Sequence, residues 1–497
     1  MNPIERHSLN SRREFLTTTA SGLGAMALGS LLSEDGLLSH ATAATSPQIG
    51  PMAPKQSHFK PHAKACIFIF MAGAPSQIDL FDPKPELNKR HGQSLPQSIL
   101  DSARFAFINP DTAVLMGSQR TFRKHGQSGM EFSDLLPHLG STADDILMVR
   151  SMHSGEFNHH PGQLLMQCGV SRFGMPAMGS WITYGLGAES RNLPGYVVLS
   201  AGRGSSGGAT LYQSGFLPTS YSGVLFRNTG DPVLNLKNPD GLPQHLQKEG
   251  LGVLRALNQK RYQEVHDPEI ASRIASYELA GRMQLTAPEL IDLSNETKST
   301  LRDYGVGRTD PKGNWRGSLP HLNTMDTFAR NCLLARRLVQ RGVRFINIIH
   351  ASWDQHSDLD SQINYNAGVV DQPIAALIKD LKQRGMLDET MVVWGSEFGR
   401  TPLGENRKGR DSNTGRDHHP FCFSMLMAGG GLKGGQVYGK TDEIGWYIAE
   451  NPVHVNDLHA TLLNRFGMNH LRMTHRFQGR DFRLTDVGGK VINDWMA

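Results

Sequence analysis

The residues best suited to chemistry in this 497-residue chain are histidines and acids that follow apolar runs. In "FINIIHASWDQHSDLD", residues 345–360, the run Phe345, Ile346, Ile348, Ile349 stops at His350. Asp354, His356, Asp358 and Asp360 follow. A neutral imidazole and a carboxylate two positions apart are good ligands for zinc, manganese or iron. One Asp-x-His pair is common in solvated loops. Here Glu397 follows the next apolar run, and "GRDHHPF" (415–421) brings Asp417, His418 and His419 just before a third. This recurrence points to a metal site. The alternative is a set of loop histidines that bond backbone and bind nothing. A second pair, His159 and His160, precedes a short helix expected over Gly162–Cys168. Helix N-termini favour anions, so this turn reads as substrate-binding or nucleophile-bearing, or else as capping and packing.

The elements that must position these groups are legible as apolar periodicity. Ala65–Met71, 145–151, 195–202, Val343–Ile349 and Met391–Trp394 are short continuous apolar runs, read as buried strands. A further strand is expected in "FCFSMLMAGGG", closing on glycines. Phe328, Ala329, Cys332, Ala335 and Val339 follow helical spacing, with Arg336, Arg337 and Arg341 near the helix end and Gly342 as its stop. Ile374, Leu377, Ile378 and Leu381 mark another helix, which Pro373 either starts or kinks. Helices alternating with continuous apolar strands predict an α/β fold with a mainly parallel sheet. Right-handed crossovers align the C-terminal strand ends along one edge, where such sheets bind ligands. Residues 203–320, richer in Gly and Pro, read as an insertion or cap.

Composition narrows the class further. The chain is 38% hydrophobic and 20% charged, as globular proteins are. Its net charge of +5 is spread without a basic block, so nucleic acid is not an expected partner. Near the N-terminus "SRREFLTTTASGLGAMALGSLL" sets Arg12-Arg13 before a mildly apolar, Gly-rich run, and "ATAAT" supplies small residues at Ala41 and Ala43. This predicts a twin-arginine export signal over 1–43, a polar Pro-rich linker over 44–63, and a folded domain over 64–497. The run is too short for a good membrane span, so none is expected to remain after cleavage. Cys66, Cys168, Cys332 and Cys422 lie in apolar or helical settings and read as buried thiols.

Six stretches together resemble a known family. They are "FMAGAPSQIDLFDPKP", "FNHHPGQLLMQCG", "WDQHSDL", "VVWGSEFGRTP", "GRDHHP" and "MAGGGLKGGQVYGKTDEIG", within residues 64–482. The family is an uncharacterised one of exported bacterial proteins (domain of unknown function 1501), often labelled sulfatase-like and considered a distant branch of the alkaline phosphatase and sulfatase superfamily. The resemblance implies an alkaline-phosphatase-like sheet. It implies one divalent metal held by Asp354, His356 and His418 or His419, with zinc or manganese expected and calcium also admissible. A second metal would take an acid after the first strand, Asp79 or Asp82, and an Asp-His pair where this chain has Glu397-Phe398. That site looks degraded. Sulfatases carry their nucleophile in C/S-x-P-x-R; "CGVSR" (168–172) has Val170 in place of Pro, and the match reads as coincidence. His159, His160 or Ser154 stand where a nucleophile is expected, and Arg400 is a candidate for stabilising transition-state oxygens.

The expected function is exported, metal-dependent hydrolysis of phosphate or sulfate esters of small molecules or carbohydrates, with the twin-arginine translocase as partner and a periplasmic or extracellular location. The alternative is a non-catalytic binding protein of the same fold with a structural metal. Replacing both Arg12 and Arg13 by Lys is expected to hold the precursor in the cytoplasm. Fractionation and immunoblotting read this, and an unchanged amount of processed protein outside the inner membrane would reject it.

Overall fold

A computed structural model describes residues 51–100, 108–109, 112–227, 233, 243–313, 315, 323–405 and 414–497. The expected export signal over 1–43 and the start of the expected linker lie outside the described residues. Among the described residues no helix is long and apolar enough to cross a membrane.

The centre is a nine-stranded sheet. Its strands are β1 (Ala65–Ala72), β2 (Ile146–His153), β3 (Tyr196–Ala201), β4 (Val224–Phe226), β5 (Phe345–Ala351) and β6 (Thr390–Gly395). Beside the sheet, β7 (Gly399–Gly404) and β8 (Arg416–His419) form a separate antiparallel pair. The main sheet is completed by β9 (Phe423–Ala428), β10 (Gln436–Tyr438) and β11 (Val453–His454). The spatial order is β10-β2-β9-β6-β1-β5-β3-β4, with β11 also on β2. As expected, β1 lies between β5 and β6 and is parallel to both, pairing Ile67 with Ile346 and with Val392. Only β9 runs the other way, antiparallel to β6 and β2. The fold is thus a mixed, mostly parallel sheet flanked by helices.

Every residue of β1 is buried because helices cover both faces. Ile67, Ile69 and Met71 face one core with α5 (Thr324–Gln340) and α6 (Leu359–Gln383). Cys66, Phe68 and Phe70 face another with α1 (His159–Cys168), α2 (Met178–Leu186) and α7 (Val455–Arg465). Of residues 203–320, β4 extends the sheet, and α3 (Gln244–Val265) pairs with α4 (Pro268–Ile291). Met283, Ala287 and Leu290 of α4 enter the first core.

Two boundaries that bear on the site differ from the sequence reading. β5 continues through His350 to Ala351, since the His350 ring is buried and its Nδ1 accepts a 3.0 Å bond from Trp353 Nε1. α1 opens at His159, behind Asn158, so its two histidines are helical. Of the two alternatives at Pro373, the longer helix holds: α6 is one 25-residue helix with Pro373 inside it.

The return to β9 decides where the site forms. After β6 the chain turns through Ser396–Phe398, runs out along β7 and comes back along β8. That hairpin needs no crossover, so β9 re-enters the sheet antiparallel, and its N-terminal end shares the edge with the C-terminal ends of its neighbours. His418 thereby sits opposite Arg400 in the β7–β8 pair.

Gly73 closes this edge. Its N–H donates to Glu397 Oε1 at 2.9 Å. Its φ is +113°, and a Cβ there would stand 2.6 Å from Asp354 N and 2.8 Å from Trp353 N. Only glycine permits both the dihedral and the approach. Gly73→Ala is therefore expected to destabilise the fold by about 3 kcal/mol. Thermal unfolding measures it, and a wild-type Tm would reject the tight crossing.

Candidate metal centre

Four side chains from three segments meet at one point. Asp354 and His356 follow β5, His418 lies in β8 one residue before its end, and His159 opens α1. One ligand atom from each lies within 4.8 Å of the others. Asp354 Oδ1 is the focus: Arg400 Nη2 and His356 Nε2 lie 2.7 Å away, His159 Nε2 3.1 Å and His418 Nε2 3.3 Å. His356 Nε2 and His418 Nε2 are 3.0 Å apart.

The far side of each imidazole fixes its tautomer. His159 Nδ1 lies 2.7 Å from Glu397 Oε1, His418 Nδ1 lies 2.6 Å from the Phe157 carbonyl oxygen, and His356 Nδ1 meets Glu405 Oε2. Each acceptor takes an Nδ1–H, which leaves the neutral ring's lone pair on Nε2. All three lone pairs then face the Asp354 carboxylate. A carboxylate oxygen has about two acceptor sites, so it cannot take hydrogen bonds from all four neighbours. His159 Nε2 is buried and makes no aligned hydrogen bond. Convergent, inward-facing donors backed by carboxylates and a carbonyl are the pattern of a histidine metal site. The residues fit a divalent cation on that chemistry.

Without a cation, protons must do the same work. Burial would lower His159, but the Asp354 and Glu397 carboxylates outweigh it and push its pKa up to about 9. His418 is pushed down to about 4 by burial, against the pull of Asp354. Burial would raise Asp354, but its contacts with His159, His356 and His418, together with Arg400, hold its carboxyl far below the usual range.

The remaining sequence-predicted residues are placed as follows. Glu397 is fully buried and borders the cluster. It accepts from His159, Gly73 and Gln163, and from the Ser396 hydroxyl at 2.7 Å. Arg400 is not available to a substrate. Only 1% exposed, it donates to Ala74 O at 2.8 Å, Arg416 O at 3.0 Å, Gly73 O at 2.5 Å and Asp354. It holds Asp354 in place. His419 neighbours His418 in an extended strand, so it points the opposite way, and its Nε2 meets Trp446 O at 2.6 Å. Asp79 is ion-paired to Arg416 at 2.8 Å and stands apart from the cluster. His160 Nε2 reaches Thr210 Oγ1 at 3.4 Å. Where the resemblance places a second-metal histidine, the Phe398 ring packs 5.1 Å from the His159 ring and 4.8 Å from that of His418. Cys168 is buried and burial pushes its thiol up to about 12, which makes it an inert thiol.

Sequence reasoning missed two features. One is Glu405, buried at the end of the β7 segment, which holds His356 and with Asp417 forms a second group of possible ligands beside it. Its link to His356 spans 49 positions with no local motif to show it. The other is His159 as a member of the cluster.

The class defined here is an α/β protein whose sheet edge carries a three-histidine, one-aspartate constellation suited to a metal. The chain belongs to the family described as protein of unknown function (DUF1501), whose profile matches residues 63–496. No curated protein matches it. Three solved structures similar to it are as follows. Ps i-CgsB in complex with k-i-k-neocarrahexaose has 11% identity and a TM-score of 0.36, over 82% of this chain and 72% of that one. The PsFucS1 sulfatase from Pseudoalteromonas sp. has 12% and 0.34, over 82% and 68%. The alkaline phosphatase from the Antarctic bacterium TAB5 has 10% and 0.32, over 83% and 100%. The strand order and the site geometry, not these likenesses, define the class.

A cation must displace the proton that His159 carries in the metal-free protein. That proton's stabilising effect is full at low pH and is lost as pH rises through about 9. Metal affinity is therefore expected to rise with pH, by about tenfold per unit over about pH 6 to 8, with about one proton released per ion. The rise should level off above about 9. Calorimetric titration in buffers of different ionisation enthalpy reads this, and a flat profile would reject His159 as a ligand.

Proposed function

We propose that the protein is a divalent-metal-dependent hydrolase of phosphate or sulfate esters, exported through the twin-arginine pathway and working in the periplasm or outside the cell. The observation that carries this reading is the convergence of three Nε2 atoms on Asp354 Oδ1 at an edge open to solvent, where the Asp354 side chain is 42% exposed. His159, His356, His418 and Asp354 would hold the ion. Zinc and manganese suit this nitrogen-and-oxygen set. When bound, such an ion acts as a Lewis acid towards an ester oxygen and lowers the pKa of water.

The chain's own residues orient and insulate. Glu397, Glu405 and the Phe157 carbonyl fix three imidazole tautomers. Arg400 fixes Asp354 and offsets its charge. Phe398 fills the space beside His159 and His418, which favours one ion at this position. His159 and Arg400, candidates for direct catalysis on sequence alone, become ligand and support in this reading.

One observation favours the alternative of a structural metal: four protein donors suffice to close a tetrahedral zinc site. The two readings separate experimentally. Asp354→Ala and His356→Ala are each expected to weaken metal binding by more than about a hundredfold, beyond the effect of losing a supporting residue. They should also abolish turnover in a panel of chromogenic phosphate and sulfate esters while leaving the sheet folded. A protein that binds metal, loses thermal stability on chelation and hydrolyses none of the panel would be the structural case. A wild-type protein that takes up no divalent metal sinks both.

A further inference from the structure

Two residues one helical turn apart on α1 reach the same oxygen. His159 Nδ1 lies 2.7 Å and Gln163 Nε2 3.1 Å from Glu397 Oε1. Positions i and i+4 share a helix face, so this face of α1 is applied to Glu397 over a full turn. Gly162 makes the approach possible: a Cβ there would stand 3.2 Å from Glu397 Cβ and 3.2 Å from Phe398 Cδ1.

Gln163 is 2% exposed, and its other end is fully committed. Its Oε1 accepts from Ser206 Oγ at 3.0 Å and from Gly207 N at 3.0 Å. The backbone N–H of Gly207 can only donate, so the amide oxygen must face the loop and the amide N–H must face the carboxylate. The side chain therefore bridges two unlike structures. On one side is the carboxylate that holds the His159 ring. On the other is the glycine-rich loop that follows β3, "GRGSSGGAT" (202–210), which also touches the start of α1 through Thr210 and His160. The parallel register of β3 and β5 brings this loop to the same sheet edge as Asp354 and His356.

We propose that Gln163 is a positioning residue for the metal centre, acting through Glu397 on His159, and that it couples the 202–210 loop to the ligand set. The inference rests on the metal reading above. If the amide donor is lost, Glu397 keeps Gly73, Ser396 and His159 as partners, but its Oε1 is held on one side less. The His159 ring then gains freedom to turn away from Asp354. A residue that only filled the core would affect stability and leave the ligand field of a bound ion untouched.

The test uses the full mature chain, with zinc for affinity and cobalt(II) for spectroscopy. Gln163→Leu keeps the bulk and removes both hydrogen-bonding ends. It is expected to lower zinc affinity by about tenfold, the lower end of what supporting residues contribute. It should also shift the visible absorption bands of the cobalt-loaded protein, with little change in far-UV circular dichroism. Ser206→Ala removes one loop donor and leaves the Gln163–Glu397 bond. It should shift the same bands in the same direction by a smaller amount, and it carries the test alone where Gln163→Leu does not fold. Variants with wild-type zinc affinity and wild-type cobalt spectra overturn the inference while the metal reading stands. A wild-type protein that binds neither ion overturns the metal reading, and this inference with it.

Discussion

The structure depends on one crowded oxygen. Asp354 Oδ1 is approached by a guanidinium and three imidazole nitrogens. Hydrogen bonding alone does not account for four neighbours, because the three rings are held from behind in the tautomer that presents lone pairs to it. Lone pairs facing a carboxylate repel unless positive charge lies between them. The metal-free protein supplies that charge as Arg400 and a proton on His159. A divalent ion would supply more of it and would satisfy all three nitrogens at once.

That crowding is a product of topology. Asp354 and His356 leave β5, Glu397 leaves β6, and His159 follows β2 through a short loop. These parallel strands deliver their exits to one edge. His418 arrives differently, at the inner end of the hairpin that reverses the chain before β9. Were β9 reached by a crossover helix, it would run parallel, and the segment before it would lie at the opposite edge. The one antiparallel strand is thus what completes the cluster. Gly73 lets two backbones come close, and Gly162 makes room for the side chains of Glu397 and Phe398 against α1.

Much of this was legible in the sequence, for identifiable reasons. β1, β5 and β6 are buried on both faces, so they read as unbroken apolar runs whatever their neighbours. Asp354 and His356 sit just beyond such a run, and His418 just before another. That only one of His418 and His419 could join was within reach, since adjacent residues of an extended strand face opposite ways, but which of the two was decided by the structure. Arg400, Asp79 and Glu405 were not legible. Each is decided by a partner far along the chain: Arg400 by carbonyls of residues 73 and 74, Asp79 by Arg416, Glu405 by His356. An arginine beside a metal motif reads as an anion clamp, and only burial shows that its donors are already spent. His159 was marked as chemical but placed at an anion site, because the helix it opens looks from sequence as though it begins three residues later.

The three imidazoles are not equivalent, and the difference follows from what stands behind them. His159 and His356 each donate to a carboxylate, His418 to a neutral carbonyl. A carboxylate partner raises a ligand's basicity more than a carbonyl does. The opposite shifts of His159 and His418 in the metal-free site have the same origin: both touch Asp354, but only His159 has a second carboxylate, Glu397, to hold its proton. His418 instead is held low by burial, with the positive charge of Arg400 and of the neighbouring rings adding to it. It is therefore a nitrogen kept neutral, while His159 is the position where a proton and a metal ion would compete. Glu397 sets that competition, and Gly73, Ser396 and Gln163 hold Glu397. The acid–base character of the cluster is thus written in residues outside the candidate ligand set.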